Sequence, residues 1–282
     1  MNRNEEPLLH VEGLKKYFRT PTGGTARIVD DVSFDIYPGE TFGLVGGSGS
    51  GKSTIARTVI RLYDPTGGKI LFEGADISGR MDKKTKHLLR TDMQMIFQDP
   101  LASLNPKKTV GDIIGEGLDI HHAYKGAADR KQQITDMLVR VGLNPDCYDR
   151  YPAQFSGGQR QRIGIARAMI LRPKLLIADE CISALDVSIQ AQIINLLTDV
   201  QKSTGTAILF IAHDLVMVRY ISDRIGVLDH GRLVETGTSR EIFDHPRHAF
   251  TKELIGMIPS INPVQEKLKR RPAGVDRPGP EA

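Results

Sequence analysis

Gly46-Gly47-Ser48-Gly49-Ser50-Gly51-Lys52-Ser53 follows directly on the apolar run Thr41-Phe42-Gly43-Leu44-Val45 and fits G-x-x-x-x-G-K-[ST] at every fixed position. Such a segment cradles phosphate. Its glycines let the backbone turn sharply and point successive N–H groups inward, while a helix opening at Lys52 aims its N-terminal dipole at the same anion. The Lys52 ammonium can reach the β/γ-phosphates, and the Ser53 hydroxyl is an oxygen ligand of the kind that a phosphate-bound Mg²⁺ takes. A Gly/Ser-rich linker is the plain alternative. A linker, however, would not lie between a buried strand pattern and the helical run from Ile55 to Leu62.

A second chemical feature is the pair Asp179-Glu180, which ends the apolar run Leu175-Leu176-Ile177-Ala178. Carboxylates at the carboxyl edge of an α/β sheet stand where ligands collect. On an extended strand the two neighbours point oppositely, so Asp179 is placed to hold Mg²⁺ through water and Glu180 to polarise a water attacking a γ-phosphorus. The competing reading is a solvated acidic pair. Ser156-Gly157-Gly158-Gln159 is a third feature: a serine at an N-cap, two glycines permitting close approach, and a helix whose first amides face outward.

The elements that must hold these residues follow from hydrophobic periodicity. Leu8 to Leu14, Ile28 to Ile36 and Thr41 to Val45 read as strands, with Tyr37-Pro38-Gly39-Glu40 turning between the last two. Lys69 to Glu73 and Met93 to Phe97 are further strands. Helical patterns at Thr109 to Ile120, Asp129 to Val141 and Ser156 to Ile170 form an insert between strand-bearing regions. Leu175 to Ala178, Ala207 to Ile211 and Ile225 to Leu228 are short continuous apolar runs, the pattern of parallel strands covered on both faces. Helices at Ile189 to Ser203 and Leu215 to Ile221 lie between them as β-α-β crossovers. The Pro-rich segment from Ser260 onward reads as a poorly ordered tail.

Composition narrows the class. The chain has 282 residues, 40% of them hydrophobic, and a formal charge of +4, so it can bury a sizeable core and carries no basic stripe for nucleic acid. Its two cysteines, Cys147 and Cys181, lack metal-ligand spacing and are too few for a disulfide framework, which fits a reducing cytoplasm. No stretch reaches the roughly eighteen apolar residues of a membrane span. Any membrane role is therefore expected to be peripheral.

The order of these motifs resembles the ATP-binding cassette superfamily over about nine-tenths of the chain. The resemblance implies a P-loop NTPase of α/β class, with a RecA-like core, an antiparallel β subdomain and a helical insert at about 99–170. It places the cassette at 1–258, including a C-terminal extension at about 239–258, and a tail at 259–282. It further implies that Gly46 to Thr54 bind ATP with Mg²⁺, that Ser53, Gln98 and Asp179 serve the metal, and that Glu180, His213 and Gln98 are catalytic. Gln98 matches the Q-loop glutamine, Ser183-Ala184-Leu185-Asp186 the D-loop, and His213 the switch histidine, although a strand-end histidine taken alone is more often structural. Tyr17 corresponds to the aromatic that stacks on adenine, with the adjacent Phe18 as the alternative. Two such cassettes pair head-to-tail, each ATP lying between one phosphate loop and the partner's segment equivalent to Ser156, Gly157, Gly158 and Gln159.

Three segments resemble the oligopeptide/dipeptide importer branch: Asp99 to Pro106, Ser183 to Gln192, and His245 to Leu254, the last read as a Pro-started helix packing on the core. Ala249-Phe250 stands where Pro-Tyr is usual, Gly47 where an acidic residue is frequent, and Cys181 where proline often follows the glutamate. The branch implies import of di- or oligopeptides, with a second, different ATPase subunit, two permeases and a periplasmic or extracellular solute-binding protein as partners, at the cytoplasmic face of the membrane. No cysteine follows Cys181, as in the F-type subunit of the pair. Import of nickel or glutathione, or a non-transport clamp acting in DNA repair or translation, are the alternatives; no nucleic acid partner is expected.

Overall fold

The computed structural model describes residues 6–98, 103–183 and 185–258. Two sheets share the work. The first strands, β1 (Leu9–Arg19), β2 (Thr25–Ile36), β4 (Gly67–Phe72) and β5 (Ala75–Asp76), form an antiparallel sheet in the order β2-β1-β4-β5. The second sheet contains β3 (Thr41–Gly46), β6 (Met93–Ile96), β7 (Leu175–Asp179), β8 (Ala207–Ile211), β9 (Arg224–Asp229) and β10 (Arg232–Thr238), ordered β10-β9-β3-β8-β7-β6. Its members are parallel except for β10, which pairs antiparallel with β9.

Burial explains why the central strands read as unbroken apolar runs. Leu175 and Ile177 face one core with Phe42, Leu209 and Ile211, whereas Leu176 and Ala178 face another with Ile208 and Phe210. Each alternate residue enters a different core, so neither face has room for a polar side chain. The first core fills the space between the two sheets around α1 (Lys52–Val59), whose Ile55, Ala56 and Val59 are fully buried. Burial of each such large aliphatic is worth about 1.5–3 kcal/mol. The second core joins the sheet to α3 (Val110–His121), α4 (Ala127–Arg140), α5 (Gly157–Met169) and α6 (Val187–Thr204).

Helices α7 (Leu215–Ile221), α8 (Ser239–Asp244) and α9 (Ala249–Gly256) complete the C-terminal part. The structure corrects the Pro-started helix: Pro246 precedes α9 by three positions, and His248 is the N-cap, its Nδ1 accepting from Phe250 N at 3.3 Å. Glu235 accepts from the amides of Arg247 and His248 at 2.8 and 2.9 Å and so postpones the helix. Four of the described elements carry no expectation from the sequence: β5, β10, α8 and α2 (Lys83–Asp92), the last of which buries only Leu89. β1 also continues through Arg19, pairing Tyr17 with Arg27 and Phe18 with Ala26, so both aromatics lie within the strand. The branch segment at 99–102, Ala184 and the tail at 259–282 lie outside the described residues.

Candidate active site

Parallel strands bring their carboxyl ends to one edge, and the chemistry gathers there. Gly46 ends β3, Gln98 lies two residues past β6, Asp179 ends β7, and His213 lies two residues past β8. The loop after β3 needs its glycines. A Cβ on Gly46 would meet Leu228 O at 2.1 Å, and Gly51, at φ 107°, would meet Ile28 O at 2.6 Å. Gly51 is the N-cap of α1 and offers no side-chain acceptor, so the first N–H groups of Lys52, Ser53 and Thr54 are left for a ligand. The hydroxyl oxygen of buried Ser50 likewise has no hydrogen-bond partner.

Lys52 is 3% exposed and donates from Nζ to the carbonyls of Gly46 and Gly47, both at 2.9 Å. Burial pushes its pKa below the ordinary lysine range, with Glu180 and Asp179 opposing. Ser53 donates to Asp179 Oδ1 at 2.7 Å, while Asp179 Oδ2 is buried without a hydrogen-bond partner, 4.0 Å from Arg57 Nη2. Burial raises the Asp179 pKa, against the lowering effects of Ser53 and Arg57. A carboxylate so poorly satisfied stands ready for a cation.

Glu180 does not continue the strand. Its φ of 48° turns the chain into the left-handed region, and its amide donates to Ile211 O at 2.9 Å. This backbone turn, rather than the extended alternation expected, separates the two carboxylates. Glu180 Oε2 accepts from Gln98 Nε2 at 2.8 Å, and Oε1 lies 2.6 Å from His213 Nε2. The Glu180 side chain is 9% exposed and that of His213 47%, so the pair joins the buried carboxylate to open solvent. Ser183 holds the turn by donating from Oγ to Glu180 O at 2.9 Å.

Tyr17 reaches the loop indirectly. Its hydroxyl donates to Asp30 at 2.5 Å, Asp30 N donates to Gly231 O at 2.8 Å, and Gly231 N donates to Ser50 O at 3.0 Å. The hydrogen bond to Asp30 raises the phenol's pKa and lowers the carboxylate's. Phe18 instead packs edge-on against Tyr63. The structure therefore brings together the phosphate loop, Asp179, Glu180, Gln98 and His213, with Tyr17 joined to them through Asp30.

Ser156, Gly157, Gly158 and Gln159 do not join them. Ser156 and Gln159 close a capping box on each other at the start of α5, and Ser156, Gly157 and Gln159 are exposed. Gly158 has a packing reason: a Cβ there would meet Ile189 Cγ2 at 2.7 Å. Arg57 was not foreseen in the site, although it follows Ser53 by four residues on α1 and so shares its face.

A phosphate loop at the carboxyl edge of a parallel sheet, with two carboxylates and a histidine beside it, defines a nucleotide-hydrolysing cassette. The chain belongs to the ABC transporter family, which it matches over residues 29–183, and it is an ATPase that binds ATP. It is 55% identical over 266 residues to the oligopeptide transport ATP-binding protein OppF of Bacillus subtilis, covering 94% of this chain and 87% of that one. It is 51% identical to the dipeptide transport ATP-binding protein DppF of Lactococcus lactis, covering 93% and 84%. Among solved structures, a dimeric post-hydrolysis state of the ATP-binding cassette MJ0796 bound to ADP and Pi is similar with a TM-score of 0.73 and 26% identity, covering 82% of this chain and 99% of that one. CbiO1 of Clostridium perfringens, part of the ABC transporter complex cbiONQ, gives 0.74 and 28%, covering 86% and 92%.

Proposed function

We propose that this chain is the ATP-hydrolysing subunit of a peptide importer, working at the cytoplasmic face of the membrane beside a second, different cassette, two permeases and a solute-binding protein. The observation that carries the reading is the position of Gln98. Its amide bonds the Glu180 carboxylate, and the same residue lines a cavity of about 670 Å³ whose other walls include Leu62, Phe97, Ile120 and Leu171. Arg57 also lines this cavity while standing beside Asp179. Leu62 and Ile120 are 56% and 65% exposed, which is costly unless a partner covers them. A permease segment seated there would press on Gln98 and so on Glu180.

In this reading the phosphate loop, Lys52 and the α1 amides bind the triphosphate, and Tyr17 stacks on adenine. Glu180 polarises the attacking water, and His213 and Gln98 orient the carboxylate and the γ-phosphate. Ser53, Asp179 and Gln98 would hold Mg²⁺, which would neutralise phosphate charge; the unsatisfied Asp179 oxygen beside the Ser53 hydroxyl suits a hard cation. The exposed Ser156–Gln159 segment completes the partner's site when two cassettes close. Dimeric cassettes among the similar solved structures support that arrangement. The names of the relatives support peptides as the solute.

The test is reconstitution in proteoliposomes with the permeases, the second cassette and the binding protein. Peptide-loaded binding protein is expected to stimulate ATP hydrolysis and drive peptide uptake. Stimulation by a nickel complex or glutathione in place of peptide would overturn the solute assignment. An assembly that never forms, with hydrolysis indifferent to permeases, would overturn the transport role.

A further inference from the structure

We propose that Asp30 is a positioning residue for the phosphate loop, setting affinity for the nucleotide's phosphates through the hairpin tip between β9 and β10. The strand that carries it is irregular. Along β1 and β2, Lys16 pairs with Val29 and Tyr17 with Arg27, so Ile28 has no opposite residue and β2 is bulged there. On a regular strand residues 27 and 30 would point to opposite faces. The bulge brings both to Tyr17. The Arg27 guanidinium lies over the Tyr17 ring, 5.5 Å from its centroid, and Asp30 Oδ1 accepts from the Tyr17 hydroxyl at 2.5 Å.

The same carboxylate holds the hairpin. Asp30 Oδ2 accepts from Arg232 Nη2 at 2.9 Å, and Arg232 is the first residue of β10, paired with Asp229 at the end of β9. Between them His230 and Gly231 have φ of 42° and 78°, the two left-handed positions of a tight two-residue turn. Gly231 joins β2 to the phosphate loop: its carbonyl accepts from Asp30 N at 2.8 Å, and its amide donates to Ser50 O at 3.0 Å. Ser50 N in turn donates to Gly47 O at 3.3 Å, and that carbonyl also accepts from Lys52 Nζ at 2.9 Å. An unbroken line of hydrogen bonds thus runs from Asp30 to the lysine. The Asp30 side chain is 15% exposed, so its two charge-assisted bonds are partly shielded from water. They tie the bulge to β1 on one side and to β10 on the other. Without them the bulge can shift, and the hairpin tip and Ser50 shift with it.

The inference rests on ATP binding at the phosphate loop, and neither on adenine stacking by Tyr17 nor on the identity of the solute. It is tested on the full chain by measuring Tm, KM and kcat with Mg-ATP, and the displacement of a fluorescent ATP analogue by inorganic tripolyphosphate, which has no base. Asp30→Ala is expected to raise KM about three- to tenfold with kcat little changed, and to weaken tripolyphosphate by the same factor. Tyr17→Phe keeps the ring and removes only the hydroxyl, which guards against an unstable alanine variant. It is expected to weaken both ligands by part of that factor, and the double variant to be no worse than Asp30→Ala alone. Glu12→Gln, at an exposed side chain of the same sheet, serves as the control and is expected to leave KM alone. Adenine stacking is read separately, from any further loss of ATP affinity in Tyr17→Ala beyond that of Tyr17→Phe. An unchanged KM in Tyr17→Phe, or additive losses at positions 17 and 30, would overturn the proposal. Weakened ATP with tripolyphosphate unchanged would also overturn it, since Asp30 would then act on the base and not on the loop.

Discussion

At the residue scale the site is defined by groups held in conformations they would not choose alone. Glu180 has a positive φ, which costs a non-glycine residue about 1–2 kcal/mol, and the turn is secured by Ser183 and by the amide bond to Ile211. The result is a carboxylate with one oxygen on Gln98 and the other near His213, aimed away from Asp179. Glu180→Gln keeps the shape and cannot act as a base, so ATP binding should persist while turnover falls by at least about a hundredfold. Turnover at the wild-type rate in a single-turnover assay would remove Glu180 from its role. Lys52→Ala should instead abolish binding itself, because it removes the cation that the Gly46 and Gly47 carbonyls aim; equilibrium binding of a fluorescent ATP analogue reads this directly. Cys181 bears on neither step. Burial pushes its thiol up to about 12, so at pH 8 it should resist iodoacetamide in the folded chain and react once unfolded in urea. Rapid labelling of the folded chain would contradict that burial. The glycines, Lys52, Ser53 and the carboxylate pair were legible because each is demanded by local chemistry at fixed spacing. The left-handed turn at Glu180 was not, since it depends on β8 beside it.

At the scale of elements, periodicity revealed what is buried and missed what is not. β3, β7 and β8 stood out because their residues alternate between two cores, and α3, α4 and α5 because one face of each is apolar. β10 escaped because its residues, from Arg232 to Thr238, are half-buried or exposed at a sheet edge. α2 escaped because its Lys-rich sequence buries only Leu89. Yet α2 has a tertiary role: His87 on it meets His121 at the end of α3, ring centroids 5.3 Å apart and edge to face. Burial holds the His121 pKa below its ordinary 6.5, and the positive groups His87, Arg90 and His122 push the same way. A histidine with a depressed folded-state pKa binds its proton better unfolded, so acid destabilises the fold. The deficit should begin as pH falls through the unfolded value near 6.5 and be complete below the folded value. His121→Phe keeps an aromatic contact with His87 and should flatten the acid limb of Tm against pH. Superimposable acid limbs for the two proteins would show that this contact does not set the pH response. Packing between helices is tested by Gly158→Val, whose branches must enter Ile189 and should cost about 1–3 kcal/mol in urea unfolding.

At the scale of the whole molecule, the strand order puts one set of groups on one edge and leaves another elsewhere. Gln98, Asp179, Glu180 and His213 converge on the phosphate loop because β3, β6, β7 and β8 run parallel and end together. Ser156 and Gln159 sit at the start of α5, exposed, with their side chains spent on each other. A capping box stabilises a helix start but leaves α5 with further amides pointing outward, as an anion site requires. If hydrolysis needs both sets, one chain cannot supply them to the same nucleotide. The ordering of motifs in the sequence could show that both sets exist, but only topology shows that they are apart. Association must then enter the rate law. Specific activity of the purified cassette pair should rise with protein concentration and level off as dimers saturate, whereas bound ATP per chain should be nearly constant across the same range. Ser156→Arg should lower the plateau without weakening ATP binding to its own phosphate loop, because the bulk and charge it adds obstruct the partner's nucleotide. A specific activity independent of concentration down to the nanomolar range, with Ser156→Arg unaffected, would mean that each chain completes its own site and would remove the head-to-tail arrangement.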